Sequence, residues 1–576
     1  MDEMVKLTID GKNVTVAEGT TILNAARSVG IKIPTLCYLK DINEIGACRV
    51  CIVEIVGNEN LCAACNTQAE DGMEVLTNSP RVREARRINI ELILSTHNTN
   101  CTSCVRNGNC TLQTLCRDLN ITDIPFEVSY RKKNWDKNQP LIRDREKCIK
   151  CMRCVSFCEK VQSLGVWDVL GTGPRTTVGL RGAKNLNEAN CSLCGQCITH
   201  CPVGALHERD DTQKVLDAIA NPDKIVIAQV APAVRSAWGA DAGLDEHLAT
   251  VGRMVTALKG LGFDYVFDTD FAADLTIMEE GSELLERLQH KEDYHWPMFT
   301  SCCPGWVRFL KCEFPEFMPN LSSAKSPQQM FGAIAKTWFA KQLNVEPEQI
   351  CCVSIMPCVS KKYEADVPQV SDTGAKKDVD IVLTTRETSR MLRSSGICLE
   401  ELGESSFDEP LGLGTGAGVI FGTTGGVMEA ALRSAHYLVT GQNPHPDAFS
   451  MVRGMEGWKE RIVQVGDVSL KVAVASGLGN ARKLLHAIQS NKVQYDFVEI
   501  MACPGGCAGG GGQPITDGKE LAAERGETLR HLDANASIRF SHENPFITQL
   551  YEQFLEKPLS HKSHELLHTN QSEWDI

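Results

Sequence analysis

The first hydrophobic rhythm in the chain has a period of two. Residues 5–16, VKLTIDGKNVTV, alternate apolar and polar side chains around Asp10-Gly11, a dipeptide that supplies the positive φ angles of a tight hairpin turn. A short helix, TILNAARSVG, follows and stops at Gly30. Residues 81–96 are helical by pattern, with apolar positions at Ile88, Ile90, Leu92 and Ile93. After about residue 210 the text turns to α/β alternation. KIVIAQVAP (224–232) reads as a buried strand, and FDYVFDTDF as another that leads into a helix over residues 274–288. No apolar run approaches the ~20 residues of a membrane-spanning helix.

Composition changes this picture at one point. A length of 576 residues predicts three or four domains, and a net charge of -14 disfavours a general nucleic-acid or anionic-membrane binder. With 43% hydrophobic and 23% charged residues, the chain is ordinary globular protein. Cysteine departs from the ordinary: 17 of the 26 lie in the first 201 residues. The opening MDEMVKLTID has no apolar leader region. A reducing, cytoplasmic setting is therefore expected, with thiols serving as metal ligands rather than disulfides.

The spacing of those cysteines carries chemistry. Cys37, Cys48 and Cys51 form C-x10-C-x2-C, and Cys62 and Cys65 compete for a fourth position. Such a set suits a 2Fe–2S cluster, with zinc as the alternative on ligand softness. His97, Cys101, Cys104 and Cys110 form H-x3-C-x2-C-x5-C, which on spacing alone suits zinc or a 4Fe–4S cluster equally; Cys116 reads as a packing thiol. Cys148, Cys151, Cys154 and Cys158 form C-x2-C-x2-C-x3-C, and Cys191, Cys194, Cys197 and Cys201 repeat it. In this two-cluster signature the fourth cysteine of each run crosses over. Cys201 then joins Cys148, Cys151 and Cys154, and Cys158 joins Cys191, Cys194 and Cys197. Four clusters in series make a wire.

Three further contexts lie beyond residue 210: TSCCPGW from Thr300, MPCVSKKYE from Met356, and EIMACPGGCAGGGGQP from Glu499. The glycines of the last remove side chains, so that backbone can close around a bulky inorganic group. These segments resemble the signature motifs of iron-only (FeFe) hydrogenases. The front half is similar to the accessory region of clostridial-type enzymes, of the large subunits of NAD(P)-linked ones, and of the large iron–sulfur subunit of complex I. The resemblance extends to a tail motif, SHELLHT.

The resemblance implies an H-cluster: a 4Fe–4S cube joined through one cysteine to a two-iron unit with CO, cyanide and a bridging azadithiolate. On this sequence Cys303, Cys358, Cys503 and Cys507 hold the cube, with Cys507 bridging, and Cys302 relays protons. Lys361 faces cyanide. Ala231, Pro232, Gln328, Met356 and Met501 line the site. Ala233 stands where the best-known pattern has serine, which puts a side-chain hydrogen bond to the second cyanide in question. The proton path implied runs through Glu280, Ser322 and Glu283, with Arg287 near its entrance. Helical periodicity alone reads Glu283–Arg287 as an ordinary exposed pair. The resemblance also makes His97, Cys101, Cys104 and Cys110 a 4Fe–4S set and Cys65 the fourth 2Fe–2S ligand.

The expected architecture is multidomain α/β and α+β. It comprises a β-grasp ferredoxin-like domain (1–80), a histidine-ligated 4Fe–4S domain (81–138), a two-cluster ferredoxin domain (139–210) and a large α/β hydrogenase domain (211–576). The expected cofactors are one 2Fe–2S cluster, three accessory 4Fe–4S clusters and the H-cluster. The expected partners are ferredoxin or flavin-bearing NAD(P)H-oxidising subunits, and maturation proteins that deliver the two-iron unit. No nucleotide-binding fingerprint occurs in the chain. A non-catalytic iron–sulfur assembly or sensory protein and a complex I-like electron-transfer subunit are the competing classes. Retention of Cys302, Lys361, Glu280 and Glu283 disfavours an assembly protein, whereas a sensory function can coexist with an intact site; the intact hydrogenase motifs disfavour the second class.

Overall fold

A computed structural model describes residues 3–130, 134–182 and 185–574. Met1 and Asp2, on which the reading of the amino terminus partly rests, and the last two residues of the final domain lie outside the described residues.

The predicted hairpin forms as β1 (Met4–Ile9) and β2 (Lys12–Ala17), with Asp10 and Gly11 at positive φ. It joins β3 (Ile52–Ile55), β4 (Cys62–Ala63) and β5 (Glu74–Leu76) in a five-stranded sheet of order β2-β1-β5-β3-β4. The inward alternation of Val5, Leu7 and Ile9 packs on the helix Ile22–Ser28. Thr21 accepts the Asn24 N–H and starts that helix. The next helix, Pro80–Leu94, buries Val82, Arg86, Ile90 and Leu94, whereas Leu92 is exposed. The predicted apolar face is thus rotated, because Arg86 turns inward to donate to the Val50 and Ile52 carbonyls.

In the middle region β6 (Leu141–Arg143) pairs antiparallel with a later strand, β9 (Leu206–Glu208). Between them in sequence lies a hairpin of β7 (Trp167–Leu170) and β8 (Thr177–Leu180).

The remainder is built on two four-stranded sheets. One has the order β11 (Tyr265–Asp268), β10 (Ile225–Val230), β13 (Ile350–Met356), β14 (Ile381–Thr384), and every pairing is parallel. Strands covered on both faces need nearly continuous apolar runs, and Val226, Ile227, Ala228 and Val230 supply one that only the buried Gln229 interrupts. The other has the order β12 (Met298–Phe299), β17 (Phe497–Met501), β16 (Val468–Ser476), β15 (Trp458–Val465). The helix Thr269–Gln289 starts five residues before the expected 274, because the Asp268 carboxylate caps it by accepting the Asp270 N–H. It is buried along most of its length, so a one-sided polar stripe is missing. Among the described residues no helix is long and apolar enough to cross a membrane.

Candidate active site and cysteine clusters

Cys37, Cys48, Cys51 and Cys65 converge on one another. The Cys48 thiol hydrogen-bonds Cys37 and holds it down to about 6, and Cys51 is lowered in the same way by Cys65; the donor thiols are pushed up. Cys62 is not part of this group; its Sγ lies 3.7 Å from the Asn60 carbonyl oxygen. His97 is buried, and its Nδ1 is 2.9 Å from the Lys147 carbonyl oxygen. A carbonyl can only accept, so Nδ1 carries the proton and Nε2 keeps a lone pair available for coordination. Burial, with the charges of Cys110 and Cys101 nearby, pushes the Cys116 thiol up to about 11.

The crossed arrangement has a direct geometric counterpart. Cys151 and Cys154 feel the charge of Cys201 and of Cys148, while Cys158 faces Cys194 and Cys191. Lys150, Met152, Leu193 and Gly195, all between cysteines, have positive φ. This turns each loop into a concave shell of the kind that presents backbone N–H groups to an anion.

The junctions between these groups correct the expectation of a single series. Asn43 Nδ2 donates to the Cys37 carbonyl (2.7 Å) and to the Cys151 carbonyl (2.9 Å). Cys110 Sγ lies 3.8 Å from the carbonyl oxygen of Pro202, the neighbour of Cys201. Two groups therefore abut the same set, that of Cys148, Cys151, Cys154 and Cys201, and the layout is a fork. At the other end, Cys503 Sγ is 3.8 Å from the Cys194 carbonyl oxygen.

A cysteine-lined cavity opens where β10, β12, β13 and β17 end, at the carboxyl edges of parallel strands, where side chains of successive loops meet. Its empty space, part of it open to solvent, is about 590 Å³. Ala231, Pro232 and Ala233 follow β10, Cys302 and Cys303 follow β12, Met356 and Cys358 close β13, and Met501 ends β17. Gln328, Lys361, Phe421 and Cys507 also line it. Cys358 lies near Cys303 and Cys507, Cys503 lies near Cys358 and Cys303, and burial raises all four thiols, Cys507 to about 12. Four thiolates gathered in such a pocket are unstable unless a cationic centre takes up their charge. The donor set thus fits an iron–sulfur cube.

Around the cavity the polar groups are arranged in two chains. Lys361 Nζ donates to the Cys302 carbonyl (3.1 Å) and to Glu364 (2.9 Å), and Gln328 Nε2 donates to the same Glu364 (2.9 Å). Glu364, absent from the sequence reading, was visible only as an i+3 partner of Lys361. The second chain starts at Cys302, whose thiol is raised well above its usual range by burial and by Glu280. Burial, then Glu283, pushes Glu280 up to about 8. Neither carboxylate oxygen of Glu280 has a hydrogen-bond partner among the described residues. Ser322 Oγ donates to Glu283 (2.7 Å), and Arg287 Nε donates to Glu283 (3.1 Å). Glu280, Glu283 and Arg287 are all buried, so the ordinary exposed-pair reading of this helix is overturned.

Residues 224–511 match the family model described as iron only hydrogenase large subunit, C-terminal domain, and residues 519–571 match iron hydrogenase small subunit. Residues 2–80 match a 2Fe-2S iron-sulfur cluster binding domain, 86–125 the NADH-ubiquinone oxidoreductase-G iron-sulfur binding region, and 147–205 a 4Fe-4S dicluster domain. The chain is 49% identical over 580 residues to the NADP-reducing hydrogenase subunit HndD of Solidesulfovibrio fructosivorans, covering 98% of each. It is 40% identical over 573 residues to iron hydrogenase 1 of Clostridium pasteurianum, covering 98% of this chain and 99% of that one. A solved structure of an apo FeFe-hydrogenase HydA1 variant from Chlamydomonas reinhardtii matches with TM-score 0.57 and 45% identity, covering 62% of this chain and 98% of that one.

Proposed function

This chain belongs to the iron-only hydrogenase family, and from that premise we propose which of its residues carry the interconversion of 2 H⁺ + 2 e⁻ and H₂. The enzyme combines an H-cluster domain with accessory 2Fe–2S and 4Fe–4S domains. Cys303, Cys358, Cys503 and Cys507 would hold the H-cluster. Cys37, Cys48, Cys51 and Cys65 hold the 2Fe–2S cluster in a β-grasp domain ending near residue 80. His97 with Cys101, Cys104 and Cys110, and the two crossed sets, hold three accessory 4Fe–4S clusters in domains ending near 138 and 210.

When bound, the H-cluster supplies redox-active iron and a basic amine at which the H–H bond is made or broken. The protein supplies the proton. A thiol raised as far as Cys302 stays protonated at neutral pH and can donate, and Glu280, at about 8, is poised to refill it. Ser322 donates to Glu283 and keeps acceptor capacity, so that its hydroxyl can take a proton from Glu280 as it passes one to Glu283. Arg287 holds Glu283 at the outer end. Lys361, fixed by Glu364 and the Cys302 carbonyl, brings a positive charge to a largely apolar wall, where it binds and orients an anionic group. Ala231, Pro232, Met356 and Met501 exclude water, and Gln328 is held by Glu364 and Ser354.

The observation that carries this reading is the cavity that gathers Cys303, Cys358 and Cys507 beside Cys302, with Glu280 behind it. A Cys302→Ala variant, matured with the two-iron unit, is expected to keep the infrared bands of CO and cyanide and lose at least ~10²-fold in H₂ evolution from reduced viologen. Full turnover would overturn the relay assignment. Electrons are exchanged with ferredoxin or with a flavin-bearing NAD(P)H-oxidising subunit in the cytoplasm, and maturation proteins deliver the two-iron unit. The 49% identity to a subunit of an NADP-reducing enzyme favours the flavin partner. Flavin subunits co-purifying with the native protein would test this.

A further inference from the structure

Gln162 lies between the two-cluster region and the residues that follow β16 and β17, just beyond the helix Arg153–Lys160 that carries Cys154 and Cys158. It is 1% exposed. Its amide oxygen accepts the Leu478 backbone N–H at 2.9 Å. An NH₂ group cannot accept from a backbone N–H, so this contact fixes which way the amide points. The NH₂ end donates to the Ala502 carbonyl at 3.0 Å and to Cys194 Sγ at 3.5 Å. Ala502 is the residue before Cys503, and Cys503 Sγ in turn lies 3.8 Å from the Cys194 carbonyl oxygen. One buried side chain therefore ties a sulfur of one cysteine set to the backbone beside a cysteine of the next.

We propose that Gln162 is a positioning residue for electron transfer between these two sites, and that its N–H···S bond raises the reduction potential of the cluster held by Cys158, Cys191, Cys194 and Cys197. Reduction adds one negative charge to a cluster and its thiolates. A donor aimed at a ligand sulfur stabilises that reduced state more than the oxidised one. The same amide fixes the spacing of the last transfer, a single electron passing from this cluster to the one beside Cys503. The inference rests on the ligand assignment given above.

The test is an electron paramagnetic resonance redox titration of the iron-loaded full chain. Gln162→Met removes the donor at similar volume. Gln162→Glu removes it while keeping an acceptor for Leu478. In both, the midpoint of one 4Fe–4S signal is expected to move to more negative potential while the other accessory signals stay in place, with the larger shift in Gln162→Glu. An unmoved midpoint at full iron content overturns the proposal. So does loss of that one signal from both variants with the others intact, since Gln162 would then act only in assembly. Failure of the ligand assignment is seen separately, as absence of the signal from the unaltered chain.

Discussion

Glu280 is a carboxyl group that burial keeps neutral. It is 1% exposed, has no hydrogen-bond partner among the described residues, and is pushed up to about 8 from an ordinary 4.5. The folded protein therefore binds a proton that the unfolded chain releases above pH 4.5, so the contribution to stability falls as pH rises through 8. A glutamine in its place cannot ionise. Relative to the unaltered protein, E280Q is expected to melt at progressively higher temperature between pH 5 and 8, as scanning calorimetry of the cluster-free chain would show. Its H₂ evolution should fall ~10²–10⁴-fold. This residue also marks how far the sequence could be read. Glu280, Glu283 and Arg287 at spacings of three and four describe a solvated helix face as readily as a buried relay, because periodicity records position around a helix but not what covers it. The cysteine runs were legible because ligand spacing is itself the chemistry. Cys62 and Cys65 were not separable by spacing, and the difference is spatial: Cys65 meets Cys51, and Cys62 meets Asn60.

At the scale of elements, the glycine run beyond Cys507 works differently from the sequence expectation. A Cβ on Gly510 would sit 2.1 Å from the Pro357 carbonyl oxygen, and one on Gly511 would sit 2.2 Å from the Cys194 carbonyl oxygen. These glycines let protein backbone approach protein backbone, locking the loop to the turn before Cys358 and to the two-cluster region. Neither contact partner is near in sequence, which is why composition suggested only closure around a cofactor. Gly511→Ala forces rigid backbone apart and is expected to cost more than the ~1–2 kcal/mol of a left-handed strain alone. Gly518→Ala, with φ +75° and open space around it, is the comparison that isolates that strain. Urea unfolding of both should rank G511A as the less stable, with less iron retained at the cysteine-lined cavity. The long helix Thr269–Gln289 follows the same logic: wedged among packed elements, it buries residues on all sides, and its start at Asp268 is set by a cap rather than by a hydrophobic period.

At the scale of the whole molecule, one short loop of the catalytic region reaches both the histidine-bearing arm of the fork and the shared cysteine set. Asp517 accepts from the buried Arg153, next to Cys154, and from Thr111 Oγ1 (2.6 Å), next to Cys110. Two residues earlier, the Ile515 carbonyl accepts from Asn109 (2.9 Å). A single carboxylate thus holds the histidine-bearing arm and the shared cysteine set against the loop that runs on from the glycine lock. Removing it leaves the Arg153 guanidinium, 2% exposed, without its counter-charge, a loss of about 3 kcal/mol. The cavity itself is untouched, because no residue that lines it contacts Asp517 through a hydrogen bond or ion pair among the described residues. D517A should therefore separate two activities that a catalytic-site variant would lower together. Proton–deuterium exchange with D₂ needs no external electrons and should stay within about twofold, whereas H₂ evolution driven by a reduced protein donor should fall at least ~10-fold, since transfer depends on sites held in register. Equal loss of both would mean that the junction supports folding of the catalytic region rather than delivery of electrons to it.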